Sequence, residues 1–211
     1  MQDFIFSEVR TFFIPIYFFI VRAAIEPGCR LLVENVGINP TNWNFAKYLA
    51  EWELKLGQLN TLVITGNPLG NIEVGGSILR PVKIDPDELP GLMDEIPKLA
   101  LAMASASGIS QVSGAAQLRI KESDRISVIV RELGKLGVKI KEKPDGFIIE
   151  GPTKLRAPEI SFPNEDHRIA MTFAITGTIS EGLKTISDSK KISISYPEFF
   201  INLEKLYPQS H

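Results

Sequence analysis

What most constrains this chain is a layout that it repeats: an apolar helix, then a glycine, then a β-rich run. The pattern predicts the unit at Tyr17–Ile25, Gly28 and Arg30–Val36, again at Asp94–Ser107, Gly108 and Ile109–Ser113, and again at His167–Ser180, Gly182 and Leu183–Ser187. Each glycine stands where a helix C-terminus favours a left-handed residue. Each helix carries some small side chains, which permit close backbone approach. Units of this kind cannot bury their apolar faces singly, so the copies are expected to pack around a shared core.

A second helix is predicted over 124–136. Its apolar residues Ile126, Val130, Leu133 and Leu136 fall about 3.6 apart and give one buried face. Ser123 or Asp124 can cap its start, and Gly137 can end it. Val138-Lys139-Ile140, Pro144-Asp145-Gly146 and Phe147-Ile148-Ile149 then read as a hairpin. The module is therefore βαβαββ, clearest over residues 73–180. The expected fold class is α/β (α+β), with about two and a half such modules packed around buried helices in one domain.

Bulk properties exclude several functions. The formal net charge is −2, so no general electrostatic case exists for nucleic acid or an anionic membrane surface. Anion binding would have to come from local arginines and lysines. The single cysteine, Cys29, rules out an intrachain disulfide framework and a Cys-rich metal site, and a cytoplasmic location fits. Two histidines, His167 and His211, argue against a His-rich zinc site. The apolar run Phe12–Val21 is shorter than the roughly 20 residues a bilayer span needs. It also lacks a basic segment before it, so a buried helix or strand is expected rather than an export signal.

Three charged clusters begin or precede helices. Asp94-Glu95 sits at the start of a predicted helix, where acids complement the dipole, so a capping role competes with a chemical one. Gln117–Arg125 reads as a strand end feeding a helix start, placing Lys121, Glu122 and Arg125 at a helix N-terminus. That position suits anions, although taken alone a solvated charge run with i,i+3 pairs is the plainer reading. Asp166-His167-Arg168 precedes a third helix. A cation there opposes the dipole, which suggests that Arg168 has an anionic partner, whereas His167 on its own reads equally as a site residue or as a satisfied core or capping histidine. Taken together, two arginines and a lysine could grip a substrate bearing phosphate and carboxylate. Asp94 and Glu122 would then supply acid/base groups.

At these residues the sequence resembles the 3-phosphoshikimate 1-carboxyvinyltransferase (EPSP synthase) family. The matching runs are Leu92–Pro97, Leu118–Ile126, Asp166–Met171 and Ser195–Phe200, with Glu34–Thr41 upstream. The resemblance covers roughly residues 17–41 and 61–207. It implies transfer of the enolpyruvyl group of phosphoenolpyruvate to the 5-hydroxyl of shikimate 3-phosphate, through a tetrahedral intermediate, with no metal and no organic cofactor. By that resemblance Asp94 accepts the hydroxyl proton and Glu122 serves the methylene carbon. Lys121 with Gln117 meets the shikimate phosphate, Arg125 and Arg168 grip phosphoenolpyruvate, and His167 neighbours them. An acidic Glu122 would need a shielded site. The sister transferase acting on UDP-N-acetylglucosamine is an alternative, as is a non-catalytic remnant that binds ligand without turnover.

The chain also departs from the family's pattern. Residues 1–16 read as a divergent or frameshifted start, and 17–211 as a single domain resembling the second half of a two-domain enzyme. The resemblance implies that a first domain supplies further contacts and closes over the substrate, so negligible turnover is expected of this chain without an N-terminal partner. Where some members have a lysine three residues before the proline of Ser195-Tyr196-Pro197, this chain has Ile194. Residues 42–60 break the pattern. Their runs Asn42–Phe45 and Glu51–Leu56 can be reached by reading plausible family DNA out of frame at two different offsets. A compound frameshift and lineage divergence both remain open.

Overall fold

Three helices that are apolar almost all round must lie inside, and they do. They are α1 (Phe13–Ala24), α2 (Ile96–Ser105) and α4 (His167–Ile179), and they pack on one another. The computed structural model describes residues 2–6, 13–37, 45, 47–48, 57–64, 67–156, 166–180 and 190–206. In α2 every residue from Ile96 to Ala104 is buried. Its Ala100, Ala102 and Ala104 add little bulk, which lets neighbouring helices come close. Each buried Leu or Met of this helix contributes about 1.5–3 kcal/mol of hydrophobic stabilisation. The expected burial of the N-terminal apolar run is met from Ile16 onward, and among the described residues no helix is long and apolar enough to cross a membrane.

The repeat is visible in the sheets. In the first module β1 (Gln2–Phe6) pairs in parallel with β2 (Cys29–Gly37), with α1 as the crossover. β4 (Asn67–Gly75) then lies antiparallel between β2 and β3 (Gly57–Ile64), giving the order β1-β2-β4-β3. In the second module α2 leads to β5 (Gly108–Val112). α3 (Arg125–Lys135) leads to the hairpin β6 (Lys139–Lys143) and β7 (Gly146–Gly151), in the order β5-β7-β6. The counterpart of β1 is reduced to one parallel bridge between Lys83 and Gln111. Gly28 and Gly108 carry φ of +83° and +135°, the region that an L side chain resists. The third β-rich run, Gly182 and Leu183–Ser187, lies outside the described residues, as do Ile38–Asn44.

The helix after the second glycine strand matches expectation closely. Asp124 caps α3 by accepting from the Ser127 amide, and Ile126, Ile129 and Leu133 are buried, with Val130 half-buried. Two local expectations need correction. Residues Ala116–Ile120 form a 3-10 turn rather than a strand end, because Leu118 alone points inward while Gln117 and Ile120 are exposed. Asp94 and Glu95 precede α2 rather than forming its first turn, and Glu95 at the cap position makes no side-chain capping bond. Near the chain's end α5 (Lys190–Ser195) and α6 (Phe199–Leu206) follow. Phe199 sits against Phe18 and Phe19 with ring centroids 6.0 and 5.8 Å away. The described part of the 42–60 segment joins the core: Phe45 and Tyr48 are buried, and the Tyr48 hydroxyl donates to Glu88.

Candidate functional site

The three charged clusters meet around one guanidinium. Arg125 begins α3 and its side chain is 0% exposed. Its Nε donates to Oδ2 of Asp166 at 2.6 Å, Nη1 to Oδ1 of Asp94 at 3.0 Å and Nη2 to Oε2 of Glu122 at 2.7 Å. A fully buried cation needs such partners, since an unpaired one would carry a large desolvation cost. Asp166 serves two elements at once. Its Oδ1 caps α4 by accepting from the amides of Arg168 and Ile169, and its Oδ2 holds Arg125. The Asp before the third helix is visible in the sequence, but its grip on Arg125 is not.

Arg168 lies beside this hub. Its Nη2 is 2.9 Å from Oδ2 of Asp94 and its Nη1 is 3.7 Å from Oε1 of Glu122. Asp94 and Glu122 therefore each bridge both arginines. The anionic partner expected for Arg168 is present inside the protein. Its Nε, however, is buried with no hydrogen-bond acceptor among the described residues, so within them this guanidinium retains an unused donor. Arg125 differs: a ligand could reach it only if Glu122 or Asp94 moved aside.

Half-burial pushes the Asp94 carboxyl up. The Arg125 hydrogen bond and the charges of Arg168, Arg125 and Lys121 outweigh that and hold it below the usual carboxylate range. Asp94 is thus a carboxylate at neutral pH, the form a proton acceptor requires. Burial also pushes the His167 imidazole down, as does adjacent Arg168, against the opposing pull of Asp166 and Glu122. His167 is the first residue of α4 and only partly buried. Lys121 is exposed but its charge reaches Asp94. Gln117 is exposed in the 3-10 turn.

Glu122 is 45% exposed at its side chain, so the described residues do not supply the shielding expected of an acid at this position. Beneath the site, Lys98 is 1% exposed, 2.6 Å from Oε2 of Glu95 and 4.2 Å from the centroid of the Phe18 ring. The two side chains form a buried ion pair. Burial lowers the Lys98 ammonium, against the pull of Glu95. Nothing in the sequence marked this lysine, because its i,i+3 partner looks like an ordinary surface pair. Among the described residues no group of three or more His, Cys, Asp or Glu is arranged to hold a metal ion. Ile194 is 82% exposed on α5.

Comparison with known proteins gives this geometry a context. Residues 14–203 match the family model described as EPSP synthase (3-phosphoshikimate 1-carboxyvinyltransferase). A 3-phosphoshikimate 1-carboxyvinyltransferase of Carboxydothermus hydrogenoformans is 46% identical over 90% of this chain, and one of Syntrophomonas wolfei is 42% identical over 90%. The chain spans only 44% of the length of each of these relatives. The solved EPSP synthase of Acinetobacter baumannii superposes with a TM-score of 0.85 at 35% identity, covering 92% of this chain and 45% of that one. The enolpyruvyl transferase NikO of Streptomyces tendae, at 16% identity and a TM-score of 0.64, shares the fold.

Proposed function

The chain belongs to the EPSP synthase family, and on that premise we propose that it supplies one half of a site that transfers the enolpyruvyl group of phosphoenolpyruvate to shikimate 3-phosphate. The observation that carries this reading is the bridging of Arg125 and Arg168 by Asp94 and Glu122. Two guanidinium groups held by two carboxylates form an anion receptor that already contains acid/base groups.

Each residue then has a role. Arg168, with its spare buried donor, is the first grip on phosphoenolpyruvate, and Arg125 completes that grip as Glu122 swings toward the substrate. Glu122 delivers a proton to the methylene carbon. The 5-hydroxyl oxygen of shikimate 3-phosphate bonds to the central carbon and gives its proton to Asp94, forming a tetrahedral adduct. Inorganic phosphate then leaves, taking up the proton held by Asp94, and the new methyl group returns its proton to Glu122 as the enol double bond re-forms. Lys121 and Gln117 meet the shikimate phosphate, and His167 lines the site. The exposure of Glu122 supports a further element of the reading. A second domain, on this chain's natural partner or in a longer protein, closes over the site and excludes water. Residues 17–211 then act as one domain, in the cytoplasm, with residues 42–60 the segment whose coding DNA decides between frameshift and divergence.

A phosphate-release assay tests this reading, run on the chain alone and mixed with a separately expressed N-terminal domain of a relative. Activity only on mixing is the expected result. Turnover by the chain alone would overturn the two-part site. Binding of shikimate 3-phosphate with no turnover in either case would favour the remnant, a reading that the open position of Glu122 also fits.

A further inference from the structure

The segment 113–124 carries Gln117, Lys121 and Glu122 yet contains only a 3-10 turn, and Ile120 within it is 83% exposed. Ala115 and Leu118 are its only deeply buried side chains. The segment is held instead by one guanidinium outside the site. Arg119 Nε donates to the Pro144 carbonyl at 2.7 Å, and Nη2 donates to the Lys143 carbonyl at 2.7 Å and to Glu142 at 2.8 Å. Its Nη1 donates to Asp124 at 2.8 Å and to Ser127 Oγ at 3.1 Å. One side chain thus ties the 3-10 turn and the cap of α3 to the tip of the β6–β7 hairpin.

The hairpin tip grips the start of the segment as well. The Gly114 amide donates to the Asp145 carboxylate and the Ala115 amide to the Asp145 carbonyl, both at 2.7 Å. A Cβ on Gly146 would stand 2.0 Å from the Val112 carbonyl oxygen, so the tip lies flush against β5. The segment is therefore clamped at both ends by residues 142–146, with Lys121 and Glu122 between or beside the clamps.

We propose that Arg119 is a positioning residue, and that the β6–β7 hairpin tip acts through it to hold Lys121 and Glu122 at the substrate site. This rests on the proposed function for the identity of the ligand, but not for the clamp itself. Only a planar fork with several donors reaches two carbonyls and two carboxylates lying in different directions, and a lysine ammonium satisfies part of that set. Arg119 touches neither Arg125 nor Arg168 in the structure, so its effect on a ligand is indirect.

The test uses the full chain with Arg119→Met, Arg119→Lys and, as a control, Lys139→Met, which removes an exposed ion pair with Glu150 on the same hairpin. Amide hydrogen exchange reads the clamp, and titration with shikimate 3-phosphate followed by NMR reads the site. In Arg119→Met the amides of Lys121 to Asp124 should exchange about tenfold faster while those of β6 and β7 stay unchanged, and affinity should fall about tenfold. Arg119→Lys should recover part of both losses, and Lys139→Met should alter neither. Equal acceleration across hairpin and segment would mean ordinary structural support, and wild-type affinity in Arg119→Met would equally overturn the proposal. Failure of the wild-type chain to bind shikimate 3-phosphate would count against the proposed function, with the exchange pattern still deciding the clamp.

Discussion

Arg125 and Asp166 meet at 2.6 Å with both side chains fully out of solvent. The contact locks the start of α3 to the start of α4, so two of the three charged clusters are fixed to one another by a single ion pair. Its energetic meaning lies in what removal of either partner leaves behind.

Asp166→Ala strips the buried guanidinium of one carboxylate and strips α4 of its cap. Breaking a buried pair costs about 3–5 kcal/mol, and losing the cap adds about 1 kcal/mol. Asp166→Asn keeps a capping oxygen and should lose less. Urea unfolding of the three proteins measures the order, and equal midpoints for wild type and Asp166→Ala would refute it.

Arg168 carries the unused donor and lies at the edge of the cluster, so its loss should weaken anion binding more than folding. Removing a charge-assisted hydrogen bond is worth about 1.5–3 kcal/mol, which is roughly a 10- to 100-fold loss of affinity. Calorimetric titration of Arg168→Met with phosphoenolpyruvate, compared with wild type, reads this directly. Unchanged affinity would remove Arg168 from the receptor.

Lys98→Met should destabilise the chain by about 3–5 kcal/mol, because Glu95 then keeps a buried charge with no counter-ion. The double variant Lys98→Met with Glu95→Gln removes both charges and should regain most of that loss. A double variant as unstable as the sum of the two single changes would show that the pair is not coupled.

His167 gives stability a pH dependence of known sign. Its folded-state value is depressed, so the unfolded chain takes up the proton first as pH falls below about 6.5. The His167 contribution is then fully retained above that value and declines between it and the lower folded-state value. Asp94, also depressed, adds a second decline in more acid solution, below about 3.9. The imidazole signal of His167, followed by NMR, should titrate below 6.5. His167→Asn should flatten the unfolding free energy between pH 7 and 5, on the ordinary titration range of histidine; an unaltered slope would assign it elsewhere.

The sequence by itself determined the parts whose physics is local. Gly28 and Gly108 take positive φ as the sequence indicates, although they stand at the entries to β2 and β5 rather than at the helix ends, and the 3.6-residue spacing of Ile126, Val130 and Leu133 with Asp124 ahead of them specifies α3. The hairpin follows from Pro144-Asp145-Gly146 between alternating runs. The same local reading misjudged Gln117–Lys121, where alternation imitated a strand although only Leu118 is drawn inward, and Asp94, whose position imitated a helix cap. Tertiary structure alone decided which charges are paired. Arg125 reaches Asp94 and Asp166 across 31 and 41 positions of sequence, and Arg119 reaches the hairpin carbonyls across 24 and 25. A charge on a sequence carries no direction. Its partner is chosen when the packing of apolar helices brings distant backbone together and leaves a buried guanidinium that must be satisfied.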